Sequence, residues 1–172
     1  MRVLSRIAGL ATLVAALWLL NAALTFHNVW PTPAIQWRGE WSAELALLVL
    51  GLAAWTRWRG VPGRGLTAAL AAAGVLFTLA RYAEVTAPAL YGRGVNLYWD
   101  ARHVGGVVGM LVQVAPPWQV LAVFVGTVLA LGAGGWLLGR CVAGIARALD
   151  PRAPGPLAAA TRRVLVCGAM AV

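Results

Sequence analysis

Residues 118–139, WQVLAVFVGTVLALGAGGWLLG, contain no charged side chain. As a helix rising about 1.5 Å per residue, this stretch is long enough to cross the roughly 30 Å hydrocarbon core of a bilayer. Reading outward from it, apolar runs recur at 7–26, 42–56 and 65–83, and another begins after Arg163. The run at 42–56 is short and is completed by the semi-polar WRGEWSAEL at its start. Composition agrees with the runs. Hydrophobic residues make up 61% of the 172, charged residues only 11%, and mean hydropathy is +0.78. A soluble domain is nearer half apolar, so the chain reads as an integral membrane protein.

The first run follows Arg2 and Arg6, as in a signal peptide. It is long for one, and more spans follow, so an uncleaved first helix is expected. The fold class expected is all-α, a polytopic membrane helix bundle forming a single domain over 1–172. It has four full spans and a truncated fifth, because 164–172 would cover only about half of the hydrocarbon core. A chain stopping in mid-membrane reads as the N-terminal part of a longer protein.

The charges give the orientation. All fourteen basic residues are arginine, the composition of a GC-rich bacterial genome. One set of loops holds Arg2, Arg6, Arg57, Arg59, Arg64, Arg140, Arg147, Arg152, Arg162 and Arg163 against the single acid Asp150. The other holds Arg38, Arg81, Arg93 and Arg102, balanced by Glu40, Glu44, Glu84 and Asp100. The whole net charge of +9 therefore falls on one side. The positive-inside rule makes that side cytoplasmic, with the N-terminus inside and 27–41 and 81–117 outside the bacterial inner membrane. No continuous basic stripe suits nucleic acid. Cys141 and Cys167 have no zinc-type spacing, and no internal repeat, P-loop, GxSxG or HExxH occurs.

The outer segments carry the polar chemistry. TFHNVWPTPAIQWRGEW, 25–41, supplies Trp30, Trp37 and Trp41, rings suited to headgroup depth. Pro31 and Pro33 stop the first helix. Glu40 and Glu44, four apart, are expected on one face at the start of the second helix. In RYAEVTAPALYGRGVNLYWDARHV, 81–104, Arg81 and Glu84 are spaced to pair along the third helix, which Pro88 is expected to end. The glycines of YGRGVN supply turns. Tyr98 and Trp99 then anchor a cluster of Asp100, Arg102 and His103. VGGVVGMLVQVAPPW, 104–118, is too short to span and reads as an interfacial or re-entrant piece.

Two readings of this cluster compete. Ion pairs that close the bundle account for each charged residue about as well as a ligand does. The ligand that arginines among outer-leaflet aromatics suit is a lipid phosphate, with Arg81 and Arg102 holding it and Glu84 and Asp100 orienting them. His103 reads as a hydrogen-bonding partner rather than a catalyst. Two acids in each of two loops are a weak divalent-cation signal.

In 26–45 and 81–104, HNVWPTPAI with its acidic helix start and RYAEVTAPALYGRGVNLYWDARHV resemble the N-terminal membrane region of bacterial membrane-bound sulfatase-like hydrolase/transferases of the alkaline phosphatase superfamily. The five-span plan is similar to that of the lipoteichoic acid synthases and lipid A phosphoethanolamine transferases. The resemblance implies an outer C-terminal catalytic domain with a Thr or Ser nucleophile and a divalent metal. No residue of this chain matches those motifs, so it assigns neither catalytic residue nor metal ligand here. The expected role is a membrane anchor that presents a lipid substrate. The alternative is a self-contained small membrane protein acting as a subunit or scaffold through helix packing, which the Gly and Ala of 126–135 would allow.

Overall fold

The computed structural model describes residues 2–152 and 156–172, with side chains described from 9 to 152 and from 159 on. It is a bundle of helices: α1 (Arg2–Thr25), α2 (Ala43–Arg59), α3 (Arg64–Tyr91), α4 (Leu97–Val114), α5 (Pro117–Leu149) and α6 (Pro156–Met170). Between α1 and α2 the chain makes a small antiparallel hairpin of β1 (His27–Asn28) and β2 (Ile35–Gln36), with His27 opposite Gln36. The apolar runs at 65–83 and 118–139 fall inside α3 and α5, the run at 42–56 falls in α2 but for its first residue, and the run at 7–26 falls in α1 but for its last. Two described helices, α3 and α5, are long and apolar enough to cross a membrane. The apolar part of α1, Gly9–Thr25, is shorter, and α2 has 17 residues. Four full spans therefore exceed what helix length alone supports.

The core is built on one stripe of α5. Leu138, Cys141, Val142, Ile145, Ala146 and Leu149 recur at three- and four-residue intervals and are buried, the spacing of one helix face. Leu13, Ala16 and Leu20 of α1 and Leu45, Val49 and Leu52 of α2 complete it. Small residues bring α3 close to α5. A Cβ on Gly74 would stand 3.2 Å from Leu138 Cδ1, and one on Gly139 would stand 3.5 Å from Ala71 Cβ. Thr56, fully buried, donates from Oγ1 to the carbonyls of Ala53 (3.1 Å) and Leu149 (3.4 Å), tying α2 to the end of α5.

These contacts set the register. Leu149 is level with Thr56 and Leu138 with Gly74, so α2, about 25 Å long, lies beside α5 from about residue 136 onward. The rest of that 33-residue helix runs on for about 30 Å. There α5 is exposed throughout 121–130. Helix α4 has no buried residue and packs against α5 alone.

Three boundaries differ from the sequence expectation. Helix α3 passes through Pro88 and closes at Gly92, whose φ of +69° and N–H bond to the Pro88 carbonyl cap it. Proline removes one helical hydrogen bond without stopping the chain three residues early. The stretch 97–104, expected as loop, is the first part of α4. Helix α6 begins at Pro156, ahead of Arg162 and Arg163, because PLAAAT joins a favourable first-turn proline to strong helix formers. The helix is about 22 Å long, but Arg162 and Arg163 fall in its middle and only the seven residues 164–170 follow them in the helix. Gly168 and Ala169 near its end, and Ala171 and Val172 just beyond it, line one apolar cavity with Trp41 and Ser42 at the opposite end of α2 from Thr56.

Candidate functional site

The segment joining α1 to α2 is held from below by a buried amide. Asn21, 1% exposed, donates from Nδ2 to the Glu40 carbonyl (2.7 Å) and accepts at Oδ1 from the Ser42 N–H (2.8 Å). The two bonds flank Trp41 and leave its ring 69% exposed. Trp37 is also tied down, donating Nε1 to Thr25 Oγ1 (3.1 Å) and meeting Trp18 edge-on at 5.6 Å. Trp30 stands free at the hairpin tip, 75% exposed.

Glu40 and Glu44 do not share a helix face. The helix begins at Ala43 with Ser42 as its cap, Oγ accepting from Leu45 N–H (3.1 Å), so Glu40 lies outside it. Glu40 instead sits 3.0 Å from His27 Nε2 across the hairpin stem. Glu44 accepts from Ser42 Oγ at 2.6 Å.

Arg81 and Glu84 do pair, at 3.2 Å. Arg81 also donates Nε to the Phe26 carbonyl (3.2 Å), and next to it Tyr82 donates its hydroxyl to the Pro33 carbonyl (3.2 Å). These bonds fasten the hairpin onto α3. Much of Arg81 is thus spent on structure.

The α3–α4 corner is a separate cluster. Asn96 caps α4, its Oδ1 accepting from Trp99 N–H (3.3 Å). Asp100 takes a two-pronged bond from Arg93, Nη2 to Oδ1 at 2.7 Å and Nη1 to Oδ2 at 3.3 Å. Its Oδ2 also accepts the Asn96 N–H at 2.8 Å. Those bonds hold the Asp100 carboxyl below the usual carboxylate range, the Arg93 side chain first and the Asn96 amide second, with the charges of Arg93 and His103 adding to them. The same pairing pushes the Arg93 guanidinium further toward its charged form.

Asp100 therefore orients Arg93 and not Arg102. Arg102 lies over two rings, 5.9 Å from the Tyr98 centroid and 5.4 Å from that of Trp99. The rings themselves meet edge-on at 5.3 Å. None of the ion pairs among the described residues includes Arg102. His103 is exposed on the same helix.

The single floor expected from Arg81, Glu84, Asp100, Arg102, Glu40 and Glu44 is thus divided in two. A hairpin clasp holds Glu40, Arg81 and Glu84, and a corner holds Arg93, Asp100 and Arg102. Helices α3 and α4 do not approach one another. Glu40, Glu84 and Asp100 each face a basic residue, His27, Arg81 and Arg93 in turn, rather than each other. Among the described residues no three His, Cys, Asp or Glu side chains gather as a metal site would require.

Sequence reasoning missed Arg93, Asn96 and Asn21. Asn96, standing before a helical run with an acid in its first turn, carried a recognisable start signal. No spacing rule finds Arg93 across a turn from Asp100, or Asn21 under a loop twenty residues on.

Compared with protein-family models, curated proteins and solved structures, the chain matches none.

Proposed function

We propose that residues 1–172 form a multi-pass domain of a bacterial inner membrane whose outer corner receives the phosphate of a lipid headgroup. The observation that carries this is Arg102, a guanidinium stacked on Tyr98 and Trp99 with no carboxylate against it. Cation and ring attract one another, yet the ring leaves the N–H fork free for phosphate oxygens. Arg93 and Asp100 brace the turn beneath. In this reading α1, α2, α3 and α5 cross the membrane, α6 is a short fifth span, and α4 lies in the outer interface with Tyr98 and Trp99 setting its depth. The tilt toward cytoplasmic arginine supports the orientation. A sulfatase-like hydrolase or transferase is the enzyme such a platform would serve, its nucleophile and metal supplied from outside these residues.

A photoreactive phospholipid in nanodiscs tests the corner. Cross-links are expected within 97–104, and Arg102→Ala should reduce them about tenfold, the scale of one charge-assisted contact, with helix content by circular dichroism unchanged. Cross-linking at 97–104 that ignores Arg102→Ala would defeat the proposal.

One observation favours a second reading, a subunit that acts by helix packing: residues 104–114 of α4 and 121–130 of α5 are largely apolar, and all of them but Gly109 are exposed. A stoichiometric complex that shields α4 from the photolipid would support it instead.

A further inference from the structure

The opposite end of the bundle carries its own cationic groove. Helices α1 and α5 part to leave about 640 Å³, walled by apolar side chains including Leu13, Leu19 and Leu137, with Arg140 and Arg147 on its α5 side. The two arginines are seven residues apart, so they stand on one face of α5 about 10 Å from each other. Arg147 spends Nε on the Ala143 carbonyl (3.0 Å), and Arg140 lies 5.5 Å from the centroid of the Trp136 ring. Neither belongs to an ion pair among the described residues. Asp150, the one acid at this end, uses Oδ1 on the Arg152 N–H and its backbone carbonyl on Arg162 Nη1.

Two guanidinium groups without a carboxylate, against apolar walls, are costly unless an anion or water meets them. The groove's α1 wall runs from Gly9 to Leu19, about 15 Å and so about one leaflet of hydrocarbon. Arg147 is at its inner end, because α5 runs antiparallel to α1. We infer that this groove binds an anionic phospholipid of the cytoplasmic leaflet, its phosphate held by Arg147 and Arg140 and an acyl chain laid along Leu13 and Leu19. The inference needs the chain to sit in a bilayer but does not depend on the outer corner.

The test uses the 172-residue chain in neutral detergent, titrated with phosphatidylglycerol, with phosphatidylcholine of the same acyl chains, and with inorganic phosphate. Native mass spectrometry and thermal melting are the readouts. Phosphatidylglycerol should give a saturable one-lipid adduct and raise the melting temperature, while the other two should do neither. The double variant Arg140→Gln, Arg147→Gln should weaken the adduct at least about tenfold. Gly144→Leu keeps both charges but fills the groove, since a Cβ there meets nothing within 4 Å, and it should also weaken binding. With the photolipid, the double variant should remove cross-links in 137–148 and leave those in 97–104, so the two sites fail separately. Equal binding of phosphatidylcholine, reproduction of the effect by phosphate alone, an adduct indifferent to Gly144→Leu, or a dimer in place of the lipid adduct would each overturn the inference.

Discussion

Asp100 bonds Arg93 through both carboxylate oxygens, at 2.7 and 3.3 Å, and takes the Asn96 amide at 2.8 Å with one of them. One side chain thereby closes the α3–α4 turn and fills the first turn of α4, where negative charge also complements the helix dipole. Arg102 rides on the geometry that results.

The pH response of this corner follows from the lowered Asp100 carboxyl. A group that loses protons more easily when folded adds stability that is complete above the ordinary carboxylate range and disappears as pH falls through its depressed folded value. Amide exchange of residues 92–100, corrected for intrinsic rates, should therefore be slow near neutrality and quicken only in strong acid. Asp100→Asn should remove that dependence and exchange faster at neutral pH. An acid response that persists in the variant would assign it to another carboxylate.

Asn21→Ala should be among the more damaging single changes. It leaves the buried Ser42 N–H and the part-buried Glu40 carbonyl unpaired, a cost of about 1–3 kcal/mol for the buried group. Reversible unfolding in mixed micelles would measure the loss. A change within about 0.5 kcal/mol, the range of ordinary surface substitutions, would mean that water replaces the amide.

Gly74→Leu should part α3 from α5, because even its Cβ would press on Leu138 at 3.2 Å. Overpacking of this kind costs about 1–3 kcal/mol. Gly132→Leu, where a Cβ meets nothing within 4 Å, is the matched control and should be tolerated. Equal destabilisation of the two would point to lost helix geometry and not to the α3–α5 contact.

Single cysteines at Val61 and Val95, in a background with Cys141 and Cys167 replaced, should label from opposite sides of the membrane, position 61 only after the cytoplasmic face is opened. Labelling of position 95 from the cytoplasm would reverse the topology derived from the arginines.

What the sequence made legible was local. The helix at α5 follows from a charge-free run, and the Arg81–Glu84 pair follows from a spacing of three, since both depend only on neighbours along one helix. The start of α4 was signalled by Asn96 but hidden by the glycines before it. The partner of Asp100 was not legible, because Arg93 reaches it around a turn whose path no periodicity describes. Least legible was the axial offset of α5, which depends on Gly74, Gly135 and Gly139 admitting a close neighbour at one height. Composition alone fits many heights.

That offset gives α5 mechanical advantage. The helix is gripped around Ile145, every residue of 121–130 is exposed, and Trp118 lies about 40 Å along the same rod. A tilt of about 10° at the grip would carry Trp118, and the α4 turn joined to it, through roughly 7 Å. Whatever fills or empties the space between α1 and α5 thus acts on a short arm, and the α3–α4 corner rides on the long one. Spin labels at positions 118 and 31 should report a broader distance distribution than labels at 148 and 55, and one that narrows when the short arm is held. Equal widths would mean that the rod does not pivot.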